Sequence, residues 1–388
     1  MLNGQADEYR AGMSAEPPAR RWLLLMVGVG LVGVAGVVLL LNRDSGELPR
    51  SPTCDEVEPG RTRLRSVSPP DAPGTPPGTP AQDQEEVEAA FRPASAEAVY
   101  CEDLADPYVL SIDQAIGQRL FVYGTQTADA NLPVLTSGGG LRSEEIGDAL
   151  PQLPAWSTPG GVWAPGVHPT GGRQVLYYTT TDAASGLQCI SAAIADGPGG
   201  PFVDRSTQPL VCPVDLGGAI DPSPFVDTDG TAYLLWKNDG NCCGVPTRIY
   251  SQALSDDGLT LTGPPAELLA SDQPWEGSVI EAPAMVEHEG TYYLFYSGNA
   301  WNTTDYAIGY AICTDVQSPC DKPLGQPWLA SSERVAGPGG LEFFRNGDDE
   351  LRAVFHGWAG PVGYDDGGVR SLFTVGIGFV AGSPITAE

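Results

Sequence analysis

Three acidic residues each open an apolar segment: Asp106-Pro107-Tyr108-Val109-Leu110, Asp221-Pro222-Ser223-Pro224-Phe225-Val226 and Glu281-Ala282-Pro283-Ala284-Met285-Val286. Two further segments have the same form without the acid, Trp163-Ala164-Pro165-Gly166-Val167 and the weaker Gly340-Leu341-Glu342-Phe343-Phe344. Carboxylates brought face to face can hydrolyse a glycosidic bond. One protonates the leaving oxygen and another deprotonates the attacking water. A third carboxylate beside the acid raises its pKa by like-charge repulsion, so that it keeps its proton near neutrality. Taken singly, each acid is an ordinary turn opener. Three at corresponding places are less readily explained by turns alone. Trp163, Tyr108, Phe225 and Trp301 offer apolar platforms for sugar faces, with core packing as the alternative for each.

The starts of the five segments are separated by 57, 58, 60 and 59 residues. Each is followed by a second apolar-aromatic run: 120–123, 175–178, 232–236, 292–296 and 351–356. Third runs follow at 189–195, 249–254, 306–313 and 372–380, with turn signals such as Asp227-Thr228-Asp229-Gly230 between runs. Repeating units of this size, each of three or four short strands, indicate an all-β fold, a five-bladed β-propeller over residues 96–388. The 3.6-residue periodicity of a helical solenoid is absent. The first strand of a blade lines the central channel, so this fold is expected to converge Asp106, Trp163, Asp221 and Glu281 on the axis.

The segments together resemble glycoside hydrolase family 43, inverting enzymes on a five-bladed propeller. The resemblance covers about residues 98–380. It rests on Ala105-Asp106-Pro107-Tyr108-Val109, on Trp163-Ala164-Pro165 with Val175-Leu176-Tyr177-Tyr178, on Ile220-Asp221-Pro222-Ser223 with Asp227 to Leu234, and on Ile280-Glu281-Ala282-Pro283 with Tyr292 to Ser297. It implies that Asp106 is the general base, Asp221 the pKa modulator and Glu281 the general acid. It implies arabinofuranosyl or xylosyl substrates and no required cofactor. His356, in Val354-Phe355-His356-Gly357-Trp358, matches a blade-five histidine that helps hold a channel calcium through water in some members. A hydrogen-bonded core histidine is the equal alternative. Arg370 is expected to contact substrate or Asp221. Gly166, where many members carry an acid, Pro224, where an aliphatic residue is common, and the missing proline of blade five depart from the family pattern.

Upstream, residues 22–41 are twenty apolar residues without a charge, about the span of a bilayer core. Arg10, Arg20 and Arg21 precede them, which places 1–21 in the cytoplasm and the rest outside. A cleaved signal peptide is the alternative, but no small-residue site follows the run. Residues 42–95 hold ten prolines and read as a disordered stalk. Eight cysteines follow the apolar run, which fits disulfides in an exported domain better than zinc. Cys189–Cys212 and Cys313–Cys320 pair by proximity, Cys242–Cys243 as neighbours, and Cys54–Cys101 by elimination. The net charge is −29, and residues 96–388 carry 36 acidic against 11 basic side chains. That excess excludes a phosphate-neutralising nucleic-acid binder. The expected partners are a poly- or oligosaccharide and, through the anchor, a membrane, with a monomeric domain. A catalytically inactive carbohydrate-binding propeller and a galactofuranosidase or D-arabinan hydrolase remain as alternatives.

Overall fold

The computed structural model describes residues 96–114, 117–138 and 144–387. The apolar run at 22–41, the proline-rich stretch and Cys54 lie outside them. Among the described residues no helix is long and apolar enough to cross a membrane.

The described residues form nineteen strands in five antiparallel sheets. Blade one is β2 (Tyr108–Gln114), β3 (Gly117–Tyr123), β4 (Pro133–Ser137) and β5 (Glu144–Asp148). Blade two is β6 (Trp163–Thr170), β7 (Arg173–Thr181) and β8 (Gln188–Ala195). Blade three is β9 (Ala219–Val226), β10 (Ala232–Asn238), β11 (Arg248–Leu254) and β12 (Leu261–Ala270). Blade four is β13 (Ile280–His288), β14 (Thr291–Gly298) and β15 (Ala307–Cys313). Blade five is β16 (Ala336–Arg345), β17 (Leu351–Ala359) and β18 (Val369–Val380). Its outer edge is completed from both ends of the domain. β1 (Glu97–Tyr100) pairs with residues 372–374 of β18, and β19 (Ser383–Ala387) pairs with residues 376–380.

Burial explains why the second strands read as unbroken apolar runs rather than alternating ones. Val175, Leu176, Tyr177 and Tyr178 of β7 are all buried, because both faces of a middle strand meet neighbouring blades. The hydrophobic core is correspondingly divided into five clusters, one between each pair of neighbouring blades. Cys189–Cys212, Cys242–Cys243 and Cys313–Cys320 are bonded as expected. Cys101 is also disulfide-bonded, and its expected partner Cys54 lies outside the described residues.

Each innermost strand has a residue with left-handed backbone in or just before its first half: Asp106 (φ 49°), Ala164 (46°), Asp221 (56°), Ala282 (51°) and Gly340 (62°). These turn residues correct the register read from sequence. Asp106 and Asp221 are equivalent, but Glu281 stands one residue before its blade's turn residue, in the place that Trp163 holds in blade two. The third carboxylate therefore comes from an adjacent position, which lets it sit beside Asp221 rather than across the ring from it.

Two of the departures from the family pattern explain one another. A Cβ on Gly166 would lie 2.6 Å from both the Pro222 carbonyl oxygen and Pro224 Cδ. The Pro224 ring fills the space a side chain at 166 would need. Gly166→Ala is expected to destabilise the domain by about 1–3 kcal/mol through overpacking. A thermal melt unchanged from wild type would contradict this. Blade five has glycine at its turn because a Cβ on Gly340 would meet His356 Nδ1 at 2.7 Å.

Candidate active site

The turn residues of all five blades, Asp106, Ala164, Asp221, Ala282 and Gly340, line one cleft, together with Ser223 and Glu342. Asp106 donates its backbone N–H to His356 Nδ1 at 3.0 Å. Its Oδ2 accepts the Thr125 hydroxyl at 2.6 Å and lies 3.8 Å from Arg370 Nη1. Burial alone would raise this carboxyl, but Arg370 and the Thr125 hydrogen bond hold it below its ordinary value. His356, 0% exposed, is pushed down to about 3 by burial. The ring is therefore neutral in ordinary buffers and holds the backbone of Asp106 rather than balancing its charge.

Asp221 is in the opposite condition. Burial and then the neighbouring Glu281 carboxylate push its pKa up to about 8, against the pull of Lys237. Its Oδ2 accepts the Ala282 N–H at 2.8 Å, which ties it to the residue after Glu281. Glu281 Oε1 accepts the Tyr306 hydroxyl at 2.9 Å, and its Oε2 lies 3.3 Å from Lys237 Nζ. The Glu281 side chain is 12% exposed, and the next residue, Ala282, lines the cleft. A neighbouring carboxylate disfavours a second negative charge, which adds to burial in keeping Asp221 protonated. Asp221 therefore keeps its proton through neutral pH. The site thus holds one carboxyl group, Asp106, kept ionised and another, Asp221, that retains its proton.

A cationic and aromatic wall stands beside Asp106. The Arg370 guanidinium lies 4.8 Å from the Trp301 ring centroid and 5.5 Å from that of Tyr364. Arg370 Nε donates to the Tyr364 hydroxyl at 2.8 Å, and that hydroxyl donates to Asp103 at 3.0 Å.

Residues 97–373 match the profile of Glycosyl hydrolases family 43. The chain belongs to glycosyl hydrolase family 43. An arabinoxylan arabinofuranohydrolase of Bacillus subtilis is 29% identical to the family-43 chain over 188 residues, 46% of this chain and 33% of its own. A β-D-galactofuranosidase of Aspergillus niger is 28% identical over 194 residues, 46% of this chain and 49% of its own. This chain therefore spans half or less of the length of these curated relatives. The crystal structure of a thermostable family-43 glycoside hydrolase superposes with a TM-score of 0.65 at 29% identity, covering 74% of this chain and 93% of that one.

Within the family-43 chain, Asp106 and Asp221 line the cleft, Glu281 directly precedes the lining Ala282, and Arg370 with Trp301 stands beside Asp106; partly exposed Trp163 occupies the same blade position as Glu281. Arg370 reaches Asp106, which corrects the expected contact with Asp221 and leaves the expected substrate contact in place. Tyr108 and Phe225 are not platforms. Tyr108 lies two residues down its strand and donates to the Val167 carbonyl at 2.8 Å. Phe225 is four residues past Asp221, about 13 Å along the strand. It packs edge-on against Tyr292 at 6.2 Å. Both belong to the packing between blades. The neutral His356 ring accepts at Nδ1, so its proton sits on Nε2, which has no hydrogen-bond partner among the described residues. A ring N–H cannot ligate a cation directly. The residue fits a calcium contact through water only, and among the described residues no group of three or more His, Cys, Asp or Glu side chains could hold a metal.

The sequence reading missed Lys237, Tyr306, Thr125, Tyr364 and Glu342. One signal was present. Thr125, Thr179, Lys237, Ser297 and His356 recur at separations of 54, 58, 60 and 59 residues, the blade period again.

Proposed function

We propose that this family-43 hydrolase cleaves arabinofuranosyl, xylosyl or closely related glycosidic bonds in polysaccharides with inversion at the anomeric carbon. The observation that carries the reading is the split between an ionised Asp106 and a proton-retaining Asp221–Glu281 pair. Asp106 takes a proton from a water whose oxygen attacks the anomeric carbon. Glu281 gives its proton to the glycosidic oxygen as the bond to that carbon breaks. Asp221 holds the proton for the pair until substrate is bound. Trp301 and Tyr364, braced on Arg370, present aromatic faces at the rim. The arabinofuranohydrolase and galactofuranosidase relatives both act on furanosides, which supports testing furanosides first. The apolar run at 22–41 supports a membrane-anchored, extracellular placement. Hydrolysis of a 4-nitrophenyl panel (α-L-arabinofuranoside, β-D-xyloside, β-D-galactofuranoside), with the first-formed anomer read by NMR, tests the assignment. Retention of configuration would remove the inverting mechanism. Binding of sugars without turnover would favour the carbohydrate-binding alternative.

The pair also sets a pH limit. Its proton is lost as pH rises through about 8, so kcat/KM is expected to fall above that value. In Asp221→Asn the repulsion that retains the proton is gone, while Lys237 remains. The alkaline limb should then move to lower pH. A limb that stays in place would show that Asp221 does not hold the proton.

A further inference from the structure

A position at or just past the end of each blade's second apolar run has a repeated task. Thr125 Oγ1 accepts the Ala164 N–H at 3.0 Å, and Thr179 Oγ1 accepts the Asp221 N–H at 3.3 Å. Ser297 Oγ accepts the Gly340 N–H at 3.0 Å, and His356 Nδ1 accepts the Asp106 N–H at 3.0 Å. Each side chain clasps the turn of the next blade. Thr179, Ser297 and His356 stand opposite Trp163, Glu281 and Gly339, the residue before the turn in each blade. In blade three the residue at that position, opposite Ile220, is Lys237.

Lysine donates three hydrogen bonds and accepts none. It cannot clasp the Ala282 N–H, and the Asp221 carboxylate takes that N–H instead. Lys237 turns to Glu281 Oε2 at 3.3 Å, to Asn241 Oδ1 at 2.6 Å and to Asp239 Oδ1 at 3.7 Å. It is 0% exposed. Burial pulls an ammonium toward neutrality, but the charges of Glu281, Asp239 and Asp221 more than offset this, and it stays charged. A buried cation in place of a hydroxyl clasp is a costly substitution unless its charge is used.

We propose that Lys237 is a positioning residue for the chemical step, the fixed counter-cation that stabilises the Glu281 carboxylate as its proton passes to the leaving oxygen. This rests on the reading of Glu281 as general acid. As the C–O bond breaks, Glu281 goes from neutral to anionic, and the leaving group departs as an alcohol. The groups that face this new charge are Asp221, Asp239, the Tyr306 hydroxyl and Lys237. The first two oppose it. Lys237, held in advance by Asn241 and Asp239, favours it without reorganising. Its contribution should therefore grow with the extent of proton transfer. That transfer is large for an alkyl leaving group and small for an activated phenol.

The test uses the full chain and the glycone turned over fastest in the 4-nitrophenyl panel, presented as its methyl and its 2,4-dinitrophenyl glycoside. Lys237→Met is expected to lose about tenfold to a hundredfold in kcat/KM on the methyl glycoside. On the dinitrophenyl glycoside the loss should stay under about threefold. Lys237→Arg should retain most activity on both. Lys237→Thr restores the clasp chemistry of the other blades, and it should lose activity in the pattern of the methionine variant. Equal losses on the two substrates, or full activity in Lys237→Thr, would overturn the proposal and leave Lys237 a structural residue. Glu281→Gln serves as the reference. If it turns over the methyl glycoside at the wild-type rate, the general-acid reading fails and takes the proposal with it. If it loses that substrate while Lys237→Met does not, only the proposal fails.

Discussion

Replacing Asp106 by asparagine should lower kcat/KM by about 10³-fold on every substrate, whatever its leaving group. The substitution keeps the shape and the backbone clasp to His356 but removes the carboxylate that takes the proton from water. Arg370 and Thr125 already face that carboxylate, and both can donate to an amide oxygen, so the domain should stay folded. Glu281→Gln should lose about as much on an alkyl glycoside but much less on an activated aryl glycoside, because a good leaving group departs without a proton. The contrast between the two variants, measured at one pH with circular dichroism to confirm folding, separates base from acid. Wild-type rates in either variant would remove that residue from the mechanism. A leaving-group dependence in Asp106→Asn but not in Glu281→Gln would reverse the two roles.

The second large effect is on stability. His356→Ala is expected to destabilise the domain by about 3–4 kcal/mol. It empties a fully buried site and leaves the Asp106 N–H without its acceptor. The ring also stacks on Tyr306, with centroids 6.0 Å apart, and Tyr306 holds Glu281. Stability and activity should therefore fall together. A domain of this size should melt roughly 6–16 °C lower. His356→Gln keeps an acceptor near the same place and should lose less. The pH dependence has a definite sign. The folded pKa of about 3 lies below the unfolded value of about 6.5, so the unfolded chain binds the proton first. Stability from this residue is complete above about pH 6.5. It is lost by up to about 1.4 kcal/mol per unit as pH falls toward about 3. The melting difference between wild type and His356→Gln should therefore narrow on acidification. A difference that is constant from pH 7 to pH 4 would contradict a buried neutral histidine.

The blade count and the strand runs were legible because each blade repeats a proline turn and a fully buried middle strand at nearly constant spacing. Asp106 and Asp221 were legible for the same reason. The register of Glu281 was not, because the left-handed turn residue in blade four is Ala282, and nothing in Glu281-Ala282-Pro283 marks which residue adopts it. Phe225 and Tyr108 misled because an aromatic residue next to an acid in sequence lies farther down the strand in space, inside the packing between blades. Lys237 stood in plain view as one of only two lysines in the chain. Its importance needed the ring of clasps, which is visible only when five backbone N–H groups are followed to their acceptors. Tyr364 lies on the loop between β17 and β18, with no periodic signal, and reaches the site only through Arg370.

The strand that completes blade five has a consequence for the order of synthesis. β1 leaves the ribosome before any blade, yet Ala98 pairs with Phe373, 275 residues later. Blades one to four can form as their residues emerge, but the seam between blades five and one cannot. Its cluster joins Leu104, Val109 and Leu120 to Phe344, Val354 and Leu372. Until β18 is made, those early residues lack half their partners, and β1 offers a bare edge to any other chain. A nascent chain stalled before residue 369 is thus an open ring with a sticky end. Closing that ring is a late, long-range and slow step.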